Sequence, residues 1–205
     1  MKLEFRYGIK YEVQRVKETL SWLDWFYSQG YKVTLPKGVD KDSTSKTIKE
    51  TIAGEFNKEE YEKVRDKLLA DFSKVGEKFS KKVKRIFGRV PNTIVVYLTK
   101  YGCGGSYMLP NKVVINIRNE GRIETLIHEI VHILIQKYVE KYKISHWEKE
   151  RIVDLIVNSG ELGLGFNDWQ KEYGGEQYID KLFKKYFFMD PELFFSKVRS
   201  YRHRT

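Results

Sequence analysis

The stretch IETLIHEIVHILIQKY, residues 123–138, places two histidines, His128 and His132, inside an almost wholly aliphatic run. Its apolar residues predict a buried helix over about residues 121–142. Residues four apart lie on one face of a helix, about 6 Å apart along the axis, so both imidazoles can reach one divalent ion. Burial of these rings beside the Glu129 carboxylate is unfavourable without a partner, and a metal ion is such a partner.

The order His-Glu-x-x-His gives the glutamate a different position from the histidines. Glu129 is turned about 100° around the helix from His128, beside a bound ion rather than on it. From there a carboxylate can take a proton from metal-bound water, which is the arrangement of the zinc-peptidase helix motif. A structural cluster of hydrogen-bonded histidines is the alternative. Catalytic zinc generally has three protein ligands, so the motif requires one more.

The next predicted helix, which begins near the potential N-cap residue Ser145, offers that third ligand. Glu150 and Asp154 lie four apart on one face. Glu150 can bind the ion, and Asp154 can accept a hydrogen bond from the ring N–H of a liganding histidine. An ordinary acidic surface face is the alternative. Glu148 is a competing ligand, but four residues further on stands Ile152, which cannot support a histidine.

The sequence HEIVH, followed after seventeen residues by ERIVD, resembles the gluzincin zinc peptidases, and the small size is similar to that of minimal gluzincins from thermophilic archaea. The resemblance covers roughly residues 90–160. It implies peptide-bond hydrolysis by metal-activated water. His128, His132 and Glu150 would be the zinc ligands, Glu129 the general base, and Asp154 the acidic residue that supports a liganding histidine. The metzincin continuation is absent, since Ile135 and Tyr138 occupy its glycine and histidine positions.

The resemblance also suggests how a substrate would bind. The Gly-x-Met-Glu-Asn stretch of gluzincin aminopeptidases is absent from GGSYMLPNKVV, so an endopeptidase is expected. In zincins the strand before the site helix lies at the sheet edge and pairs with an extended peptide. That role falls here on Val113, Val114, Ile115 and Asn116, unless the strand is interior and merely structural.

Three side chains have roles that the sequence leaves open. Tyr173 and Tyr178 are candidates, by position only, for the residue that stabilises the oxyanion. Cys103, the single cysteine, is expected to be a lone free thiol; the alternative is a thiolate that caps the zinc in a latent enzyme. His203 lies in a basic C-terminal tail, where it is expected to be solvated.

The predicted fold is α+β and zincin-like, with one domain over residues 1–205. Residues 1–142 are expected to form a small twisted mixed sheet with a backing helix at 58–87 and the site helix, and residues 143–205 a mainly helical part. Four strands are predicted: one at the N-terminus and three at residues 31–39, 93–99 and 112–118. The C-terminal aromatic helices are expected to pack against the helical part, with blockage of the cleft as the alternative.

Composition limits the partners. The net charge is +10, but the basic residues mostly alternate with acidic ones, which is typical of solvated helix faces rather than a nucleic-acid site. No signal peptide and no membrane-spanning apolar run is seen, so we expect a cytoplasmic protein that binds zinc and a peptide or protein substrate, with a monomer favoured. The high Lys and Glu content suggests a thermophilic source. A catalytically silent, regulatory metal-binding protein and a basic nucleic-acid-associated protein are the alternatives.

Overall fold

The structure is a computed structural model that describes residues 1–119, 122–167, 169 and 177–202. The described residues form helices and a four-stranded sheet, which confirms the α+β class. The strands are β1 (Lys2–Arg6), β2 (Thr93–Thr99), β3 (Gly105–Met108) and β4 (Lys112–Asn116). The α-helices are α1 (Ile9–Ser21), α2 (Leu23–Ser28), α3 (Ser45–Glu55), α4 (Lys58–Phe87), α5 (Ile123–Tyr142), α6 (His146–Val157), α7 (Gln177–Leu182) and α8 (Pro191–Arg202). A 3-10 turn covers Ile117–Asn119, and a π-helical turn, Phe183–Phe187, follows α7.

The chain divides into two compact units. The sheet unit contains residues 2–72 and 93–126, and the helical unit contains Met1, residues 73–92 and residues 127–205. The sheet-bearing part was expected to run to residue 142. It ends earlier, because most of α5 groups with the helices that follow it.

In the sheet unit the strands lie in the order β1–β2–β4–β3. The first three of these run parallel, and β3 is antiparallel to β4. The sequence of β2, TIVVYLT, is rich in the β-branched residues that suit a pleated, half-buried surface. Its alternate side chains Ile94, Val96 and Leu98 are fully buried, so one face of this strand covers the core.

β4 is an interior strand, and the prediction that it lies at the sheet edge is wrong. β2 pairs with it on one side and β3 on the other. Its backbone hydrogen-bonding groups are therefore used by neighbouring strands, and Val113, Val114, Ile115 and Asn116 are buried. These residues cannot pair with a substrate peptide. The edge next to β4 is formed by β3, which the sequence presents only as a glycine-rich turn.

Helix α4 confirms the predicted backing helix of residues 58–87 at both ends. Its apolar residues recur every three or four positions and form one stripe, as an amphipathic helix requires. Five apolar residues of this stripe are buried: Tyr61, Leu68, Phe72, Phe79 and Val83. None of the helices in the described part of the chain has the length and hydrophobicity of a membrane span.

Two local predictions near the N-terminus differ from the structure. The prediction of a strand at residues 31–39 is wrong, because this segment forms only a single β-bridge, between Thr34 and Gly102. α3, which the sequence analysis did not identify, follows it. Thr44 caps this helix by accepting a hydrogen bond from the Thr47 backbone N–H, which stabilises an N-terminus without a strong apolar pattern.

The C-terminal aromatic residues belong to the hydrophobic core of the helical unit. Phe187, Phe194 and Phe195 are fully buried. The Phe187 ring lies 6.1 Å from that of Phe87, and Phe195 stacks on Tyr138 with centroids 4.9 Å apart. Aromatic contacts of this kind add to the free energy of burial. The rings are thus part of the packing of the helical unit, as expected, rather than an exposed plug.

Candidate metal centre

Helix α5 places the two site histidines on one buried face. His128 and His132 lie one turn apart among aliphatic neighbours such as Ile127 and Val131, which are also buried. The Nε2 atoms of the two rings are 2.9 Å apart. A chain that buries two imidazoles in this way has removed them from water, so the ring nitrogens require partners within the protein or a bound ion.

Helix α6 brings a carboxylate to the same place. The Oε2 atom of Glu150 lies 3.3 Å from His128 Nε2 and 3.2 Å from His132 Nε2. Glu150 is buried as well. All the residues of this cluster belong to the helical unit, so their arrangement depends on the packing of consecutive helices.

The three atoms form a triangle of the size that a tetrahedral metal ion requires. Its sides are 2.9, 3.3 and 3.2 Å. With metal–ligand distances of about 2.0–2.1 Å, the ligand atoms around a tetrahedral ion lie about 3.3–3.4 Å apart. Within the described residues this is also the one group of at least three His, Cys, Asp or Glu side chains close enough to hold an ion. The donor set therefore fits a metal ion.

The Asp154 carboxylate lies beside the other ring nitrogen of His128. Its Oδ1 atom is 3.4 Å from His128 Nδ1, and a carboxylate in this position can accept the Nδ1–H, which would direct the Nε2 lone pair at the triangle. Burial lowers the pKa of His128, but the hydrogen bonds to Asp154 and Glu150 outweigh it and raise the pKa to about 10. The surroundings of Nε2 thus attract positive charge, which a metal ion supplies in place of a proton.

The other two members of the triangle are held in the forms that bind metals. Burial lowers the pKa of His132 to about 4, so this imidazole is neutral at neutral pH. Burial acts to raise the pKa of Glu150, but the imidazoles of His132 and His128 outweigh it and hold the pKa well below its ordinary value. Metal binding needs a neutral imidazole and an ionised carboxylate, and both are present without any proton having to leave.

Glu129 is buried next to the triangle and is not one of its corners. As the neighbour of His128 it is turned about 100° around the helix. Its carboxylate is close enough to help raise the pKa of His128. The structure thus leaves Glu129 beside the candidate ion position, where the sequence analysis expects it. Its role as a general base stays a prediction.

The second oxygen of Glu150 has partners that the sequence analysis missed. Oε1 lies 3.2 Å from the Lys149 ammonium and 3.8 Å from His146 Nδ1. With Oε1 engaged by cationic and polar groups, Oε2 is the oxygen directed at the histidines. The four-residue spacing of His146 and Glu150 on one helix could have revealed the contact between Oε1 and His146.

Glu148, the competing ligand, has a structural role instead. Its carboxylate accepts a hydrogen bond from the Ser145 backbone N–H, and the Ser145 side chain accepts one from the Glu148 backbone N–H, which forms the capping box of α6. The Tyr178 hydroxyl donates to the same carboxylate at 2.5 Å. Tyr178 therefore braces the start of α6, and its part in oxyanion stabilisation stays a prediction.

The remaining candidates lie elsewhere. Tyr173 and His203 fall outside the described residues. Cys103 is buried in the sheet unit, where its thiol donates to the Gly105 carbonyl at 3.2 Å and lies 3.6 Å from Arg15 Nη2. It does not belong to the His–His–Glu group. These contacts are those of a buried thiol and give no support to a zinc-capping thiolate.

Comparison with protein-family models, with curated proteins and with solved structures finds no match to this chain. The inference of function therefore depends on the geometry and chemistry of the site.

Proposed function

We propose that the protein is a zinc-dependent peptidase of the gluzincin type, acting as an endopeptidase. The observation that carries the proposal is the buried triangle of His128, His132 and Glu150 with the Glu129 carboxylate beside it. Two imidazoles and one carboxylate are the protein ligands of one class of catalytic zinc sites, which keep a fourth position for water or substrate.

Zinc in such a site would act as a Lewis acid that makes water nucleophilic near neutral pH and polarises a peptide carbonyl. The residues of the chain supply the remaining chemistry. Glu129 would take the proton of the attacking water and deliver it to the leaving amine, as a general base and then a general acid. Asp154 would keep His128 in the tautomer whose Nε2 binds the ion.

The buried glutamate favours an enzyme over a catalytically silent metal site. Three ligands and Asp154 are sufficient to hold an ion, so metal binding alone does not require Glu129. A buried carboxylate loses hydration, so its presence beside the ion position favours a role in proton transfer over metal binding alone. The same feature separates the peptidase proposal from a nucleic-acid-associated protein, which the charge of +10 and the basic C-terminal tail would support.

The zincin-like fold is part of this proposal. A mixed sheet that precedes a helix with the His-Glu-x-x-His motif, followed by a helix that carries a glutamate ligand, is the arrangement expected of that class.

The test combines metal analysis with proteolysis by the full chain. Zinc bound in a one-to-one ratio and cleavage of casein are expected for the wild type. Glu129→Gln should keep the zinc and lose the cleavage, whereas His132→Ala should lose both. Glu140→Gln, an exposed change on the same helix, is the matched control and should retain both. Cleavage that survives in Glu129→Gln, or wild-type protein without zinc affinity, would overturn the proposal.

A further inference from the structure

The sheet unit buries a guanidinium group that forms no ion pair with any carboxylate of the described residues. Arg15, on α1, is 9% exposed. Its Nη2 atom donates to the Cys103 sulfur at 3.6 Å, and its Nε is buried without a hydrogen-bond acceptor. Within the described residues Arg15 forms no ion pair. An unpaired buried cation is strongly unfavourable, so this position calls for an anion.

Two candidates for that anion, the Cys103 thiol and the Glu12 carboxylate, are already engaged. The Cys103 thiol donates to the Gly105 carbonyl at 3.2 Å, which is the contact of a protonated sulfur. The Glu12 carboxylate, one turn before Arg15, accepts hydrogen bonds from three donors in the sheet unit: the hydroxyls of Tyr61 and Thr99 and the backbone N–H of Lys100. Neither group is therefore available to pair with the guanidinium.

Arg15 also lines a pocket of about 110 Å³ whose other walls come from α1 and from strands β2, β3 and β4. A water molecule occupies roughly 30 Å³ in the liquid, so the space suits a few waters or one short organic group. Tyr97 and Val114, which are paired in register on one face of the sheet, give the pocket an apolar part. Gly102 lies directly against the guanidinium, since a Cβ built there would be 2.6 Å from the Arg15 Nε.

We propose that this pocket binds a carboxylate on a short apolar stem. The planar guanidinium recognises a carboxylate through paired hydrogen bonds, and the stem would lie on Tyr97 and Val114. The charged groups of the pocket are Arg15, Lys112 and Glu18, which together carry one positive charge. A monocarboxylate balances that charge, whereas a phosphate dianion would leave an excess of negative charge next to Glu18. The carboxylate belongs either to a free short-chain acid or to the C-terminus of a peptide.

The experiment is a titration of the full chain, labelled with ¹⁵N, at constant ionic strength. The resonance of the Arg15 Nε–H reports on the pocket itself and is not affected by a carboxylate that binds at the metal centre. Sodium butyrate should shift this resonance with saturation, whereas uncharged butyramide should not. A parallel titration with N-acetyl-Ala-Ala distinguishes the two sources, since the source that binds more tightly identifies the natural ligand class.

Variants then test the role of the guanidinium. Arg15→Lys keeps the charge but loses the paired donors, and should weaken butyrate binding at least tenfold. Arg85→Lys, in the helical unit, is the control and should leave the affinity unchanged. If Arg15→Lys does not fold, Lys112→Met, which removes the second positive charge, should weaken binding in its place. An Arg15 resonance that does not respond to butyrate, equal binding of butyramide, or tighter binding of inorganic phosphate would each overturn the proposal.

Discussion

Glu150 and Glu12 are both buried carboxylates, one in each unit, but their surroundings are opposite. Glu150 faces two imidazole nitrogens, and although burial acts to raise its pKa, these rings hold the pKa well below the ordinary value. Glu12 faces the hydroxyls of Tyr61 and Thr99, and burial outweighs their hydrogen bonds and raises its pKa. The two imidazoles keep the first carboxylate as an anion, whereas the hydrogen-bond donors to the second are neutral hydroxyls and a backbone N–H.

The difference separates a structural cluster from a candidate metal site. Around Glu12 each O–H or N–H donor meets a carboxylate oxygen, so the network is complete without a ligand. Around Glu150, two ring nitrogens and one oxygen converge within 2.9 to 3.3 Å. Three such atoms offer more lone pairs than protons, and a cation between them relieves the repulsion. Changes at the two glutamates should therefore have different consequences.

The largest effect is expected from Glu150→Gln. The neutral amide is a poor zinc ligand, so zinc affinity should fall by more than the roughly 10–100-fold typical of a lost supporting residue, and peptidase activity should disappear with it. Competition with a chromophoric chelator measures the affinity. Glu12→Gln is the matched change in the other unit and should leave zinc affinity unchanged. Equal losses in the two variants would contradict the distinction between the clusters.

Glu12→Ala should instead act on folding. The change leaves the Tyr61 and Thr99 hydroxyls and one backbone N–H without their acceptor, and the expected loss is about 3 kcal/mol in the free energy of unfolding. For a chain of this size that corresponds to a fall in Tm of roughly 6–12 °C. Urea unfolding measures it, and Glu50→Ala at an exposed site of α3 is the control. A variant as stable as wild type would show that the Glu12 network contributes nothing to folding.

The sequence predicts the metal site better than it predicts the Glu12 network, and the reason is separation along the chain. The Glu150 cluster depends on residues four apart on single helices and on two consecutive helices, whose periods and caps are local. Glu12 meets Tyr61 and Thr99 across separations of 49 and 87 residues. No local pattern encodes such contacts.

The order of the strands in the sheet could not be predicted from the sequence for the same reason. The β-branched sequences TIVVYLT and KVVIN identify β2 and β4 as strands, and both predictions are confirmed. Which of them lies at the edge depends on β3, four residues in a glycine-rich segment whose pairing with β4 is a tertiary event. The sequence analysis therefore placed β4 at the sheet edge although it is interior, and the strand itself was recognised.

Asp154→Asn should have an intermediate effect on the metal site. An amide oxygen still accepts the His128 Nδ1–H but without the negative charge, so zinc affinity should fall about 10–100-fold. The loss should be clearly smaller than in Glu150→Gln and should appear in the chelator competition with little change in stability. Asp66→Asn, at an exposed site on α4, is the control. A loss as large as that of Glu150→Gln would make Asp154 a ligand rather than a supporting residue.

The smallest effect concerns the pH dependence of stability. Because the pKa of Glu12 is raised above its ordinary value of 4.5, the folded protein binds this proton more tightly than the unfolded chain does. The associated stability is fully present below pH 4.5 and is lost as the pH rises through the folded pKa. Glu12→Gln removes the titration, so the difference in unfolding free energy between wild type and variant should change over that window and become constant above it.

Wild type and Glu12→Gln are both measured with zinc bound throughout, so that the histidine cluster contributes equally to the stability of the two proteins. Urea unfolding at a series of pH values gives the two curves. If the wild type instead gained stability relative to Glu12→Gln as the pH rose through the window, the folded pKa would have to lie below 4.5. Glu12 would then be held as an anion like Glu150, and the contrast between the two buried carboxylates would disappear.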